Sequence, residues 1–473
     1  MPRYIPTFSR ALVATFVICA MAATHAAESC GDACVSEAEP YLDATSLVQP
    51  ALLSGPNFKV VPEVRVRGFM ASFLIDTAFG PLYADSAEML AVRVAEIPAL
   101  ETLDRASRTG AFARALAERG RKTGSAIANV AAHPVDTITG LPAGVARFLR
   151  KQLDTLTGRA QSLSDQTSRH ALNRGDPYRA PAGPMTAGRN SGPEENPDRE
   201  QKTSRAWYAR AGSETAREAK RYLKYSQQRR AMARALEVDP NSTNPILNAM
   251  LDTLAWAAVG GNFSAGAALA EITGPAAAVI SYTGKANQYI LEVEPEQLRE
   301  TLRVRLLKRC SDEDSIRSFL RRGGFTDTLR VALVDALDKL APADGCNDLI
   351  ELAATTRGEV EARYLVDALK LLLQRRGGES GGRLAVIGAA VAWRTDAGKL
   401  VLPLPVDYLS WSHDIDDFVD QRDFAVTNKT VLIAGDASPL AQSRLTDRGW
   451  SLVLRAPYDG APVYAAGDMR RLR

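Results

Sequence analysis

Histidine, the usual general base, is scarce in this chain of 473 residues, which has 4. The first, His25, falls in an N-terminal leader, so His133, His170 and His413 are what any acid-base site could use. A Ser-His-Asp catalyst or a His-rich zinc centre has little to draw on. His133 precedes Pro134 in a loop, and His170 lies in a stretch rich in Pro and Gly. Only His413 has chemical company, because Asp407, Asp414, Asp416, Asp417, Asp420 and Asp423 surround it. Such a group could hold a hard cation, or pair His413 with Asp416 for hydrolysis, but the central Gly and final Glu of an EF-hand loop are missing. A solvated acidic loop or helix start is the competing reading. Further on, Gly435-Asp436-Ala437-Ser438 follows a strand and opens a helix, where an anion can rest on free backbone N–H groups. The glycine spacing of a dinucleotide or P-loop site is absent, and a Gly turn with a Ser cap explains the same residues. No metal and no cofactor are expected.

A second candidate is Asp76. The run Phe73-Leu74-Ile75-Asp76-Thr77-Ala78 resembles the signature of retropepsin-like aspartic proteases, in which an apolar strand ends in Asp-Thr-Gly or Asp-Thr-Ala. The resemblance implies that Asp76 would share a proton with a second aspartate and activate water. It covers about six residues. Phe79-Gly80-Pro81 replaces the small residues that follow in such enzymes, and no second copy occurs downstream. A turn residue at a strand end is the other reading of Asp76.

The elements that must position these groups begin after a leader. Arg3 and Arg10, the apolar run Ala11 to Ala23, and the small-residue exit around Ala26 form an export signal, with cleavage expected after Ala26. The apolar run is too short to span a bilayer comfortably. Removing residues 1–26 takes away Cys19, leaving Cys30, Cys34, Cys310 and Cys346 of the 5 cysteines. An even number in an exported chain reads as two disulfides, and the expected pairs are Cys30–Cys34 and Cys310–Cys346.

Residues 27–157 are expected to form a β-meander with helices. Val60, Val64 and Val66 recur at even spacing, and the alternation continues through Phe73 and Ile75. A helix should run from Ser86, as N-cap, to Ile97 with a stop before Pro98, followed by helices over Ala99 to Ser107, Ala111 to Arg121 and Pro142 to Leu156. Residues 158–203, with many Pro, Gly and polar residues and few branched aliphatics, read as a flexible linker. Residues 204–376 read as a helical domain that starts with a long basic helix, Ser204 to Leu236. The segment Asn244 to Gly284 is rich in small residues and reads as two buried helices, not a membrane hairpin. Leu333-Val334-Asp335-Ala336-Leu337 recurs as Leu365-Val366-Asp367-Ala368-Leu369, which suggests two stacked helical hairpins. Stacking would bring the loops of Cys310 and Cys346 together, the reason for pairing them; chance similarity of helix composition is the alternative. Past a Gly-rich hinge at 375–383, strands are expected over Leu384 to Trp393, Lys399 to Leu404, Thr430 to Ala434 and Ser451 to Leu454. The last two flank a helix capped by Ser438, so residues 383–473 form a small α/β domain. The fold class is α+β.

Charge is nearly balanced, 58 Lys and Arg against 55 Asp and Glu before the leader is removed, so nothing global favours nucleic acid or an acidic membrane as partner. Two basic amphipathic stretches, Pro142 to Leu156 and Ser204 to Leu236, could touch anionic lipid or pack on their own domain. The run Phe73 to Leu103, the segment Asp239-Pro240-Asn241-Ser242-Thr243-Asn244-Pro245-Ile246-Leu247, and the segment Leu445 to Val453 with Arg448-Gly449-Trp450 resemble a family of uncharacterised exported bacterial proteins. That resemblance implies export and architecture, and it transfers no site. The expectation is therefore a periplasmic or extracellular protein that binds a protein partner or a membrane surface without catalysis; the alternative is an exported hydrolase using Asp76 or the carboxylates around His413.

Overall fold

A computed structural model describes residues 36–108, 213–261, 290–321, 324–376, 381–467 and 469. The leader, the Cys30–Cys34 pair, the helices expected over Ala111 to Arg121 and Pro142 to Leu156, the 158–203 linker and the second half of Asn244 to Gly284 lie outside the described residues.

The chain is α+β. Its N-terminal sheet contains β1 (Tyr41–Asp43), β2 (Ser54–Gly55), β3 (Phe58–Val60), β4 (Glu63–Arg67), β5 (Met70–Thr77) and β6 (Leu82–Ala84). Every pairing in it is antiparallel. Strands β3 and β4 act as one strand interrupted at Val61-Pro62, because β3 pairs with the end of β5 and β4 with its beginning. Alternation explains the burial: Val64 and Val66 point into the core, while Glu63, Arg65 and Arg67 are exposed. The β4–β5 turn is Gly68-Phe69, both with positive φ (56° and 69°). A phenylalanine there is disfavoured, and here it is held by burial of its ring and by two N–H groups, of Asp407 and Tyr408, that donate to its carbonyl.

Helix α1 (Ala87–Ser107) starts as expected, with the Ser86 hydroxyl accepting from Met89 N at 3.0 Å. It does not stop at Pro98, a correction to the sequence expectation. Pro98 stands on the exposed side, and Leu90, Ile97, Leu100 and Leu103 are buried in the same core on both sides of it. Shared packing carries the helix through a residue that usually breaks one. The same core takes in α2 (Ser213–Ala235) and α3 (Pro245–Gly261), the described parts of the long basic helix and of the small-residue segment.

Helices α4 (Pro295–Leu306), α5 (Glu313–Arg321), α6 (Asp327–Leu340), α7 (Cys346–Ala354) and α8 (Glu359–Arg376) follow. Helix α5 packs on α7, and α6 on α8, so two hairpins stack in register. The recurring pentapeptides sit on α6 and α8 with Leu333, Leu337, Leu365 and Leu369 fully buried, each contributing roughly 1.5–3 kcal/mol by burial. Cys310 and Cys346 are disulfide-bonded, with Cα atoms 5.3 Å apart.

The C-terminal sheet has the order β13-β11-β9-β8-β7. Its strands are β7 (Arg383–Ile387), β8 (Ala390–Arg394), β9 (Leu400–Leu404), β11 (Lys429–Ile433) and β13 (Trp450–Val453), with β10 (Tyr408–Leu409) and β12 (Asp436–Ala437) forming a separate parallel pair. The run Leu384 to Trp393 is two strands, since Gly388 at φ 64° turns the chain within it. Helix α9 (His413–Val419) precedes β11, and α10 (Pro439–Asp447) joins β11 to the parallel β13. Helices α4 to α8 and this sheet share one continuous apolar core.

Candidate functional site

Where the N-terminal sheet, α1, α8 and the strand-to-strand loop at Asp407 meet, ionisable side chains replace apolar packing. On α8, Glu359, Arg363, Asp367 and Lys370 follow a helical spacing that places them along one face. Arg363 Nη1 donates to Glu88 Oε1 at 2.6 Å, joining α8 to the first turn of α1. The same guanidinium holds Glu359 at 2.6 Å through Nη2, and Lys370 Nζ lies 3.0 Å from Asp367 Oδ1. Arg93, on α1, reaches Glu96 at 3.2 Å and Glu359 at 3.6 Å. The loop before α3 closes this side: Thr243 accepts from Arg93 at 2.6 Å, Asn244 Nδ2 donates to Glu96 at 2.9 Å, and the Ser242 and Thr243 hydroxyls donate to Glu96 and Glu359. Asn244 also caps α3, its Oδ1 accepting from Ile246 N and Leu247 N.

Asp407 completes the group from the other side. Its carboxylate accepts from Ala71 N at 2.9 Å, Ala87 N at 3.1 Å and Tyr464 OH at 2.9 Å. Its backbone is fixed by Gly435, where a Cβ would stand 1.9 Å from the Asp407 carbonyl oxygen. Burial pushes the Asp407 carboxyl up to about 6, against the hydrogen bonds that favour its charge. Burial and then the neighbouring Glu88 charge hold the Asp367 carboxyl well above the carboxylate range. For Glu88 burial works upward, but Arg363, the hydrogen bond from Asp367 and Lys370 together bring it below its ordinary value. Glu359 likewise overcomes burial through Arg363 and Arg93 and falls to about 2. Burial and repulsion thus favour the neutral form of Asp367, and the neighbouring cations favour the charged form of Glu88.

Glu88, Asp367 and Asp407 line one cavity of about 10 Å3, together with Met70, Val360, Pro405 and Pro462. That is space for about one water, far below the ~300 Å3 of a small-molecule pocket. The arrangement can hold and release a proton and bind elements together; it does not admit an organic substrate.

The structure scatters the residues singled out in the sequence. Asp76 is exposed on β5, opposite Lys59 of β3, within the strand and two residues short of Ala78. His413 is the exposed first residue of α9, after the N-cap Ser412. Asp416 and Asp420 are claimed by Arg448, at 2.8 Å for Asp420, and Asp423 by Arg394 at 3.4 Å. Among the described residues no group of three His, Cys, Asp or Glu side chains is arranged to hold a metal ion. At α10, Ser438 caps Ala441 N at 3.0 Å and donates to Glu37, whose carboxylate also accepts from Trp411 N at 2.8 Å. On α2, Arg229 pairs with Asp252 and Arg230 with Glu294, and Tyr225 stacks on Trp256 of α3, so this part of the basic helix is engaged internally. No helix among the described residues is long and apolar enough to cross a membrane.

Of the buried acid group, only Asp407 stands out in the sequence, there among the acidic neighbours of His413. The signal that points to it is the stripe Glu359, Arg363, Asp367 and Lys370, spaced for one helix face that also carries apolar neighbours on both sides. Comparison with family models, with curated proteins and with solved structures finds no match for this chain.

Proposed function

We propose that this chain is an exported protein that acts by binding a protein partner, with no catalytic step of its own. The observation that carries the reading is the stack of helical hairpins α5 to α8, stapled between loops by the Cys310–Cys346 disulfide. Stacked hairpins create extended surfaces suited to protein contacts, and a disulfide is at home in an oxidising, extracytoplasmic compartment. Arg3, Arg10 and the apolar run Ala11 to Ala23 supply the export signal, and a periplasmic or extracellular location follows from them. Val304 on α4 and Leu307 just after it are exposed apolar side chains beside this stack. A peripheral membrane role is the weaker reading, because Arg229 and Arg230 of the basic helix have internal partners.

The test is cross-linking and affinity purification of the tagged full chain from envelope and soluble fractions. A specific protein recovered with it, lost when Val304 and Leu307 are both changed to Lys, supports the reading. Recovery of the protein alone from both fractions refutes it. So does loss of cellular function in a normally folded Asp76→Asn or His413→Ala variant, which would favour a hydrolase.

A further inference from the structure

Besides the apolar cores they share with neighbouring elements, α1 and the β4–β5 hairpin meet α8 and the Asp407 loop through buried ionisable groups. Glu88, Asp367 and Asp407 line the cavity with Arg363, and beside it Glu96, Glu359 and Asp239 continue the group with the cations Arg93 and Lys370. Asp85, beside Ser72 at the start of α1, adds a further acid within range of Glu359, and Arg67 stands near it. From the C-terminal segment only Tyr458 and Tyr464 face the group, and burial keeps both phenols neutral. Acids therefore outnumber bases in a largely buried group, and a full set of negative charges there would be opposed by desolvation and mutual repulsion.

We propose that the Glu88–Asp367 carboxyl pair, with Asp407 across the same cavity, is a proton-operated latch: one shared proton clasps α1 to α8, and its release loosens that joint. Asp367 donates the proton to the Glu88 carboxylate, which Arg363 also holds. When the pH rises the proton leaves to solvent, and three carboxylates then confront one another across a space of about one water. Met89 N and Leu90 N, which donate to Ser86 in the first turn of α1, report the state of the joint because Glu88 lies between them and the cap. The device works in the direction opposite to ordinary acid denaturation, closing at mildly acidic pH and loosening at alkaline pH.

The experiment is amide hydrogen exchange on the full, oxidised chain at pH 5 and pH 8, corrected for intrinsic exchange, with infrared detection of protonated carboxyls. Protection of Met89 and Leu90, in the first turn of α1, is expected to be at least about tenfold greater at pH 5, the equivalent of one unit of proton affinity. A protonated carboxyl band should persist at pH 7. Asp367→Asn, whose amide can donate to Glu88 without titrating, should keep the pH 5 protection at pH 8 and lose that band. Equal protection at the two pH values in the wild-type chain overturns the latch, as does an Asp367→Asn protein with unchanged pH dependence. If that variant fails to fold, the wild-type exchange and the presence or absence of the band at pH 7 decide the matter.

Discussion

Replacing both Cys310 and Cys346 by Ala removes a crosslink between residues 36 apart in sequence. In the chain-entropy account, opening a loop of that length frees about 13 cal/mol/K in the unfolded chain, or about 4 kcal/mol at 25 °C. The native loops should change little, because a second fastening remains. Asn347 Oδ1 accepts from Ser311 N at 2.9 Å and Asp312 N at 3.1 Å, and its Nδ2 donates to Ser311 at 3.0 Å. The loss should therefore appear almost entirely through the unfolded state. Urea unfolding followed by circular dichroism should show an unchanged native spectrum, a lower midpoint and a steeper denaturant dependence, since the uncrosslinked chain exposes more surface. Wild-type protein treated with reductant should superimpose on the double variant. A loss under about 1 kcal/mol, or a native spectrum that changes before unfolding, would refute the entropic argument and place the disulfide's role in the folded state.

Three further outcomes follow from the buried acids and their supports. Asp407 and Asp239 are both raised by burial to about 6, so the folded chain binds these protons more tightly than the unfolded one. Stability should begin to rise as pH falls through 6 and reach its full gain, on the order of 3 kcal/mol per group at most, by about pH 4. It should then fall again as Glu359, held near 2 and stabilising above its ordinary 4.5, takes up a proton. Asp239→Asn, which can still accept from Asn241 N, should flatten the alkaline limb; thermal melts that climb steadily from pH 5 to pH 8 would contradict this. Arg363→Met strands the carboxylates of Glu88 and Glu359 in the interior and should cost about 3–5 kcal/mol in urea unfolding, with a loss under 1 kcal/mol counting against the network. Gly435→Ala places a Cβ 1.9 Å from the Asp407 carbonyl oxygen; it should destabilise by at least ~2 kcal/mol, and a neutral melting temperature would show that the loop yields.

Features made by short-range physics were legible in the sequence. The alternation of Val64 and Val66 announced a strand with one wet face, and Ser86, Ser438 and Gly449 marked helix ends because capping depends on residues three or four apart. The repeated pentapeptide announced the hairpin stack, since identical apolar spacing on two helices needs identical packing. The Cys310–Cys346 pair followed from that stack. Pro98 is the instructive exception: its local cost argues for a helix end, and a core shared by residues on both sides of it outweighs that cost.

What only the tertiary structure decided is which distant residues meet. Asp407 sits among acidic neighbours in sequence, yet its carboxylate accepts from Ala71 N and Ala87 N, more than three hundred residues away. Glu88 and Arg363 are 275 positions apart and 2.6 Å apart in space. Nothing in either segment encodes the other, because a charged residue on a helix reads as solvent-facing until another element covers it. The sequence alone determined the strands, the caps, the hairpins and their staple. The fold determined that α1, α8 and the loop at Asp407 converge, and desolvation at that convergence raises the proton affinity of Asp367 and Asp407.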